Sequence, residues 1–171
     1  MTTDLVTGWW LAYATAVMRS SHVPLPDFTI HDRVRVRLAR QAVLDRAPDP
    51  LELGCIVDES VLHRVTGGSQ VMADQMEHLA KLAGRSTITI QVVPTASSAL
   101  HCAAFGSFRL FSAAGAAAPF MTCTEDLTGV NYLDRRSAID AYAQLFEHLT
   151  TVALTPADSA ELIHTTAEHY R

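Results

Sequence analysis

The chain has 171 residues, of which 49% are hydrophobic and 18% charged, and its formal net charge is −5. This composition is typical of a globular domain and excludes a disordered chain. Charged residues or prolines interrupt every apolar stretch before it reaches the ~20 residues that span a bilayer. No basic segment precedes the apolar run that begins at Val6, which argues against a signal peptide. We therefore expect a single domain, residues 1–171, that is cytoplasmic and not bound to a membrane.

The negative charge also argues against a surface that grips nucleic acid. The one dense basic run contains Arg33, Arg35, Arg37 and Arg40. Three of these arginines, at positions 33, 37 and 40, have the spacing of one helix face. Such a face indicates solvated arginines in preference to a phosphate-binding surface.

The N-terminal part of the chain predicts two helices and a strand. Residues 9–19 have few polar positions, which is typical of a helix buried on most sides. After an extended proline-containing linker, residues 31–46 form a second helix. Residues 51–57 then predict a strand that ends at Asp58 and Glu59.

A helix and a second strand follow. Two glycines predict a turn, after which Ser69 is expected to cap a helix over 70–84 that Gly84 ends. The β-branched, alternating residues 87–93 predict a strand that stops at Pro94.

The C-terminal part predicts two more strands and two more helices. The strands are 105–112 and 119–125, and residues 136–153 carry an apolar stripe with helical period. Thr155 and Pro156 are expected to start the last helix, as N-cap and first helical residue.

The order of these elements predicts the fold class. Two of the three connections between strands lack a helix, so neighbouring strands are expected to be antiparallel. The prediction is an α+β fold: a mixed, largely antiparallel sheet of about four strands, packed with about five helices and covered on one face.

Metal and nucleotide chemistry have no support in the sequence. The three cysteines, Cys55, Cys102 and Cys123, are far apart and form no Cys-x-x-Cys pair. Cys55 and Cys123 lie in apolar strand-like runs, as buried thiols do. His164 and His169 are five residues apart, which misses the spacing of a helical metal pair. No glycine-rich phosphate loop is present, so we expect no metal and no cofactor.

Several short motifs occur in a fixed order along the chain. They are Arg40-Gln41 with Leu44, Asp58-Glu59 with Leu62, Gly67-Gly68, Gln75 with Leu79, Ile90 to Pro94, Phe108 with Leu110, Glu125 with Gly129, and Leu154-Thr155-Pro156 with Ser159, Leu162 and Ile163. Over roughly residues 5–165 the chain resembles the C-terminal domain of actinobacterial antitoxin-like regulators. In those regulators the domain follows a helix-turn-helix DNA-binding domain of the Xre type.

The resemblance implies a regulatory domain that binds a small partner protein or a ligand, and no catalytic residue carries over from it. The chain begins where the C-terminal domain of these regulators begins, so we expect no helix-turn-helix domain and no direct DNA binding. One segment departs from the family pattern. Two leucines are replaced by Trp9 and Trp10, and a Gln-Thr pair by Leu11 and Ala12, before Tyr13.

The departing segment supplies the candidate ligand-binding residues. Trp9, Trp10 and Tyr13 offer broad apolar walls for a ligand or partner. Cys102, in a loop of small residues, is the fourth candidate. The alternative is that one tryptophan fills the core and the other is packed at the surface.

Three residues are candidates for catalysis, only if the protein is an enzyme. Glu59 and Glu125 stand at strand ends, where a carboxylate beside an apolar pocket can act as general acid or base. His101 lies in the small-residue loop and can titrate near neutrality. The alternative is structural: Asp58 as a helix N-cap, and Glu59 or Glu125 in a salt bridge.

Two functions from different classes remain open. The favoured hypothesis is a freestanding binding domain that takes a small apolar molecule or a small partner protein; its exposed aromatics and strand edges are compatible with a homodimer. The alternative is a cofactor-independent cyclase or isomerase of a secondary-metabolite pathway, which shapes an apolar substrate in an aromatic-lined pocket.

Overall fold

A computed structural model describes residues 11–21, 23–97, 106–126 and 129–171. The α-helices in these ranges are α1 (Leu11–Arg19), α2 (Asp27–Gln41), α3 (Glu59–His63), α4 (Ser69–Ala83), α5 (Arg136–Val152) and α6 (Pro156–His169), and a short 3-10 helix (Ala42–Asp45) follows α2. The strands are β1 (Leu53–Asp58), β2 (Ile88–Val93), β3 (Phe108–Phe111), β4 (Met121–Asp126) and β5 (Gly129–Leu133). None of the helices in the described ranges has both the length and the apolar content to cross a bilayer.

The chain forms two compact units. Of the described residues, the first unit, here called the helical unit, comprises 11–92 and Leu154–Arg171. The second, here called the sheet unit, comprises the described residues of Val93–Ala153. The single domain expected for residues 1–171 stays a prediction.

The helical unit contains a two-stranded sheet of β1 and β2. The Leu53 backbone N–H donates to the Thr87 carbonyl at 2.9 Å, which joins the beginnings of both strands. The strands therefore run parallel, and α3 and α4 form the crossover between them, as a parallel pair requires. Alternate side chains such as Cys55 and Val57 point into the core.

Helices α4 and α6 form the most extensive helix pair of this unit. Met72, Met76 and Leu79 recur at helical spacing on α4 and are almost completely buried. Ile163 and Ala167 form the matching stripe on α6. Helix α1 packs on α2 and α4, which closes the core from the N-terminal side.

A glycine turn allows α1 to approach the start of α4. Gly67 has a φ of +79°, and a Cβ at this position would lie 2.7 Å from the Cβ of Ala16. Both the backbone conformation and the close approach require glycine here. The helix begins one residue earlier than predicted, because Gly68 is its N-cap and Ser69 its first residue; no side chain caps it.

The two chain segments of the helical unit meet where β2 ends and α6 begins. The Leu154 N–H donates to the Val92 carbonyl at 2.8 Å. The buried Ser159 hydroxyl accepts from the Val92 N–H at 2.9 Å. Gln91 Nε2 donates to the Leu154 carbonyl at 2.9 Å. Helix α6 itself starts as predicted, with Pro156 in its first turn and the Thr155 hydroxyl accepting from the backbone of its first turn.

The sheet unit is an antiparallel sheet in the order β3-β4-β5, with α5 packed on β3 and β4. The register pairs Phe108 with Thr124. The ring of Phe108 lies 5.0 Å from that of Tyr142 on α5, measured between centroids. Thr122 and Ile139 are buried between the sheet and the helix.

One feature of the predicted fold is wrong. We expected one sheet of about four strands, whereas the described strands form two sheets, of two and three strands. The reason is pairing: β1 pairs with β2 through a helical crossover, whereas β3, β4 and β5 pair among themselves. The described residues hold six α-helices, close to the number expected, and the additional one is the five-residue α3 that directly follows β1.

Candidate functional site

The face of the three-stranded sheet opposite α5 is the candidate site. Residues paired across antiparallel strands lie on the same face, and the register pairs Cys123 with both Arg109 and Tyr132. Phe108, one position before Arg109, contacts α5 and therefore lies on the other face. We call the first surface the open face; it carries Arg109, Phe111, Met121, Cys123, Glu125, Val130 and Tyr132.

An arginine–glutamate pair occupies the centre of the open face. Arg109 Nη2 donates to Glu125 Oε2 at 3.2 Å, and both side chains are 23% exposed. Arg109 Nη1 lies 3.8 Å from the sulfur of Cys123, which is buried. The Thr122 hydroxyl donates to the Arg109 carbonyl at 2.9 Å, which ties the two strands together at this point. The sheet thus holds the guanidinium in place over a buried thiol.

Exposed apolar side chains surround this pair. Tyr132 is 66% exposed and Val130 42% exposed, and they lie two residues apart on the edge strand β5. Phe111 is exposed at the end of β3, and Phe120, also exposed, donates its N–H to the Phe111 carbonyl at 2.9 Å. Several exposed apolar side chains on one part of a folded protein commonly mark an interaction site.

A depression of about 500 Å³ adjoins the open face where β5 leads into α5. Its lining residues are Tyr132, Leu133, Asp134, Arg135, Ser137 and Ala138. The depression is partly open to solvent, whereas sites for small organic ligands usually enclose most of the ligand surface. It therefore suits a protruding side chain of a partner better than a free small molecule.

Among the predicted site residues that the structure describes, Glu125 is the one that lies on the open face. The structural alternative for this residue, a salt bridge, is what the structure shows, with Arg109 as the partner. A carboxylate engaged by a guanidinium on a sheet is well placed to orient that guanidinium.

Glu59 belongs to the helical unit, in the first turn of α3. Its Oε1 lies 3.7 Å from Nε2 of His63, one helical turn later. The preceding residue, Asp58, is the N-cap of α3, as the structural alternative proposed: its carboxylate accepts from the Ser60 N–H at 2.9 Å.

Tyr13 is a core residue of the helical unit. Its side chain is only 8% exposed. Burial raises the pKa of Tyr13, while a hydrogen bond with Thr66 and the positive charge of Arg64 oppose that rise. The other predicted site residues, Trp9, Trp10, His101 and Cys102, lie outside the described residues.

Sequence reasoning missed Arg109 and Tyr132. A signal for Arg109 was available: it is the one charged residue in the apolar strand Phe108–Phe111, which is unusual unless a partner is nearby. Tyr132 had no comparable signal, because its strand is short and exposed. Within the ranges that the structure describes, no group of three or more His, Cys, Asp or Glu side chains is arranged to hold a metal ion.

Comparison with known proteins gives one match. Residues 9–165 match the family model described as a domain of unknown function, DUF5753. No curated protein and no solved structure matches the chain significantly. The matched residues include segments of both the helical unit and the sheet unit.

Proposed function

Because the chain belongs to the DUF5753 family, whose function is not known, we propose from the geometry of the open face that it is a partner-protein-binding module. In this proposal the module is related to the C-terminal effector domain of antitoxin-like Xre-type regulators, acts in the cytoplasm and does not bind DNA itself. Its partner is a small protein that covers the open face of the three-stranded sheet.

The open face is the single observation that carries the proposal. Tyrosine and arginine are the residues most enriched where protein interfaces concentrate their binding energy. Here Tyr132 is largely exposed on β5. On the same face, Arg109 of β3 is held by an ion pair with Glu125 of β4. A guanidinium already fixed by the sheet loses little conformational entropy when a partner binds, so it favours recognition.

A protein partner fits this surface better than a small molecule does. On this face the exposed side chains are Phe111, Val130 and Tyr132, and an open depression lies beside Tyr132. A small apolar ligand would leave much of its own surface in water at such a site. A protein surface can cover Phe111, Val130 and Tyr132 together.

The alternative hypothesis, a cyclase or isomerase, gains no support from Glu125. Its carboxylate is engaged by Arg109, which supports a part in recognition. Trp9, Trp10 and His101 lie outside the described residues, so the catalytic hypothesis stays a prediction from the sequence.

Calorimetric titration of the protein with purified small proteins encoded by neighbouring genes tests the proposal. At least one of them is expected to bind. The substitution Tyr132→Ala is then expected to weaken that binding by about tenfold or more, the usual effect of removing an interface hot spot.

The matched control is Val65→Ala, which truncates a side chain of similar exposure, 58%, in the helical unit. This variant should bind as tightly as the parent protein. Absence of binding to every neighbouring gene product, or equal affinity of the Tyr132→Ala and Val65→Ala variants, contradicts the proposal.

A further inference from the structure

Helix α2 has two apolar faces, of which only one is used by the core. Ile30 and Val34 are buried against the rest of the helical unit. With 100° between successive residues, the opposite side of the helix carries Phe28, Val36 and Ala39. Phe28 is 72% exposed and Val36 is 49% exposed. Ala39 is exposed as well.

Exposed arginines border this second apolar stripe on both sides. Arg35 lies on one side of the stripe, and Arg33 and Arg40 lie on the other. We call this surface the outer face of α2; it consists of Phe28, Asp32, Arg33, Arg35, Val36, Ala39 and Arg40, with the Asp32 carboxylate between Phe28 and Val36. Arg35 also contacts Asp32 at 3.1 Å, but both side chains are largely exposed, so this pair is weak and can exchange partners.

The charge of α2 is opposite to that of the whole chain. Four arginines and two aspartates give the helix a formal charge of +2, whereas the chain carries −5. The positive charge is therefore concentrated on one helix of an acidic protein, next to exposed apolar side chains.

We propose that the outer face of α2 docks an amphipathic helix of a partner protein, whose apolar stripe is bordered by acidic side chains. The apolar stripe of the partner helix covers Phe28 and Val36, as in other complexes between amphipathic helices. Its acidic side chains pair with Arg33, Arg35 and Arg40. These pairs steer association and fix the register of the two helices.

Charge excludes the other candidate occupants of this face. A second copy of the chain would bring the same positive helix against the first, and like charges oppose such a contact. A nucleic acid would bring many phosphates close to a chain of net charge −5, and this long-range repulsion opposes its approach. An anionic membrane would repel a chain of net charge −5, and the outer face also contains Asp32 between its two large apolar residues.

This docking surface lies in the helical unit and goes beyond the proposed function, which concerns the open face of the sheet unit. The two proposals can fail separately. The substitution Tyr132→Ala should leave binding at α2 unchanged, and substitutions in α2 should leave binding at the open face unchanged.

A designed peptide serves as the probe. It is a labelled helix of about 18 residues, long enough to match α2, with leucines on one face and glutamates bordering them. A second peptide has lysine in place of each glutamate. Fluorescence anisotropy at low salt should show binding of the glutamate peptide to the full chain, and this binding should weaken as salt is added.

Charge reversal and truncation of α2 provide the variants. Arg33→Glu with Arg40→Glu is expected to weaken binding of the glutamate peptide by about tenfold or more and to create binding of the lysine peptide. Phe28→Ala should also weaken binding. The control, Lys81→Glu with Arg136→Glu, changes the net charge equally at exposed positions outside α2 and should bind like the parent. Circular dichroism checks that each variant remains folded.

Several outcomes overturn the inference. These are no binding of the glutamate peptide up to about 1 mM, equal binding by the α2 variants and the control, or tighter binding to a DNA duplex or to phosphatidylglycerol vesicles. A dimer in light scattering that Phe28→Ala dissociates would instead assign the outer face to a second copy of the chain.

Discussion

Cys55 is an example of how one buried residue changes the response of the whole fold to pH. It lies in β1 with its thiol in the core of the helical unit. Burial raises the pKa of the Cys55 thiol to about 12, because the core does not solvate a thiolate. The folded state therefore favours the protonated thiol more strongly than the unfolded state does.

This difference predicts a loss of stability at alkaline pH. Because the thiol pKa is higher in the folded state, Cys55 contributes to the free energy of unfolding. This contribution is fully present below the ordinary thiol pKa and is lost as the pH rises towards about 12. The free energy of unfolding, measured by urea titration, should therefore fall from about pH 9 upwards, by at most about 1.4 kcal/mol per pH unit for this group.

The variant Cys55→Ala should show a shallower decline over the same pH range, because the titrating thiol is gone. Measurement of both proteins at pH 7 provides the reference, since the loss of packing at position 55 is the same at every pH. Parallel decline of the two proteins contradicts the assignment to Cys55.

Residues that act through local chemistry could be predicted in part, since Ser69, the expected N-cap of α4, is instead the first residue of that helix. Asp58 and Thr155 cap helices as expected, because an N-cap depends only on the few residues around it. The Arg109 partner of Glu125 could not be predicted, because that pair depends on the register between β3 and β4. The burial of Tyr13 likewise depends on contacts of α1 with distant helices.

At the scale of the elements, the Ser159 hydroxyl provides one of the buried hydrogen bonds that join β2 to α6. Ser159 is completely buried, and its hydroxyl is the acceptor for the backbone N–H of Val92. The variant Ser159→Ala leaves this buried donor unpaired and is expected to lower the free energy of unfolding by about 1–3 kcal/mol.

The control is Ser20→Ala, which removes an exposed hydroxyl that donates to the Val17 carbonyl at 2.8 Å. Surface changes of this kind usually alter stability by less than about 0.5 kcal/mol. Urea denaturation of the three proteins gives the comparison. Equal stability of the two variants would show that the Val92 N–H finds another acceptor.

Long elements with clear end signals were predicted within a few residues, whereas two short elements, α3 and β5, were missed. Helix α5 was expected over 136–153 and spans Arg136–Val152. The strand β5 was missed because its five residues are almost entirely exposed and carry no buried face to read from the pattern. Helix α2 begins four residues before the predicted start, since its first turn carries an exposed phenylalanine in place of a core residue.

For the whole molecule, the sequence predicted the mixture of helices and strands but not the division into two sheets. Connection lengths indicate which strands can be antiparallel, and they do not show which strands pair. The strands β1 and β2 pair with each other, and β3, β4 and β5 pair among themselves, so two separate sheets form in place of one. The motifs quoted from the sequence lie within residues 9–165, which match the DUF5753 family model, and the relation to Xre-type regulators stays a prediction.

The contact between Val92 and Leu154 has a consequence for the architecture of the chain. The polypeptide leaves the helical unit after Val92 and returns to it at Leu154, and these two residues share a backbone hydrogen bond of 2.8 Å. A linker of about four residues is therefore long enough to replace residues 94–153. The shortened protein is expected to unfold cooperatively in urea and to keep a helical circular dichroism spectrum.

Failure of the shortened protein to unfold cooperatively would show that the helical unit needs residues 94–153 to fold. Success would identify residues 94–153 as an insertion into the helical unit, at a point where the two flanking residues, Val92 and Leu154, lie side by side. A gene arranged in this way can vary the inserted portion in length and recognition surface while the host core keeps its packing.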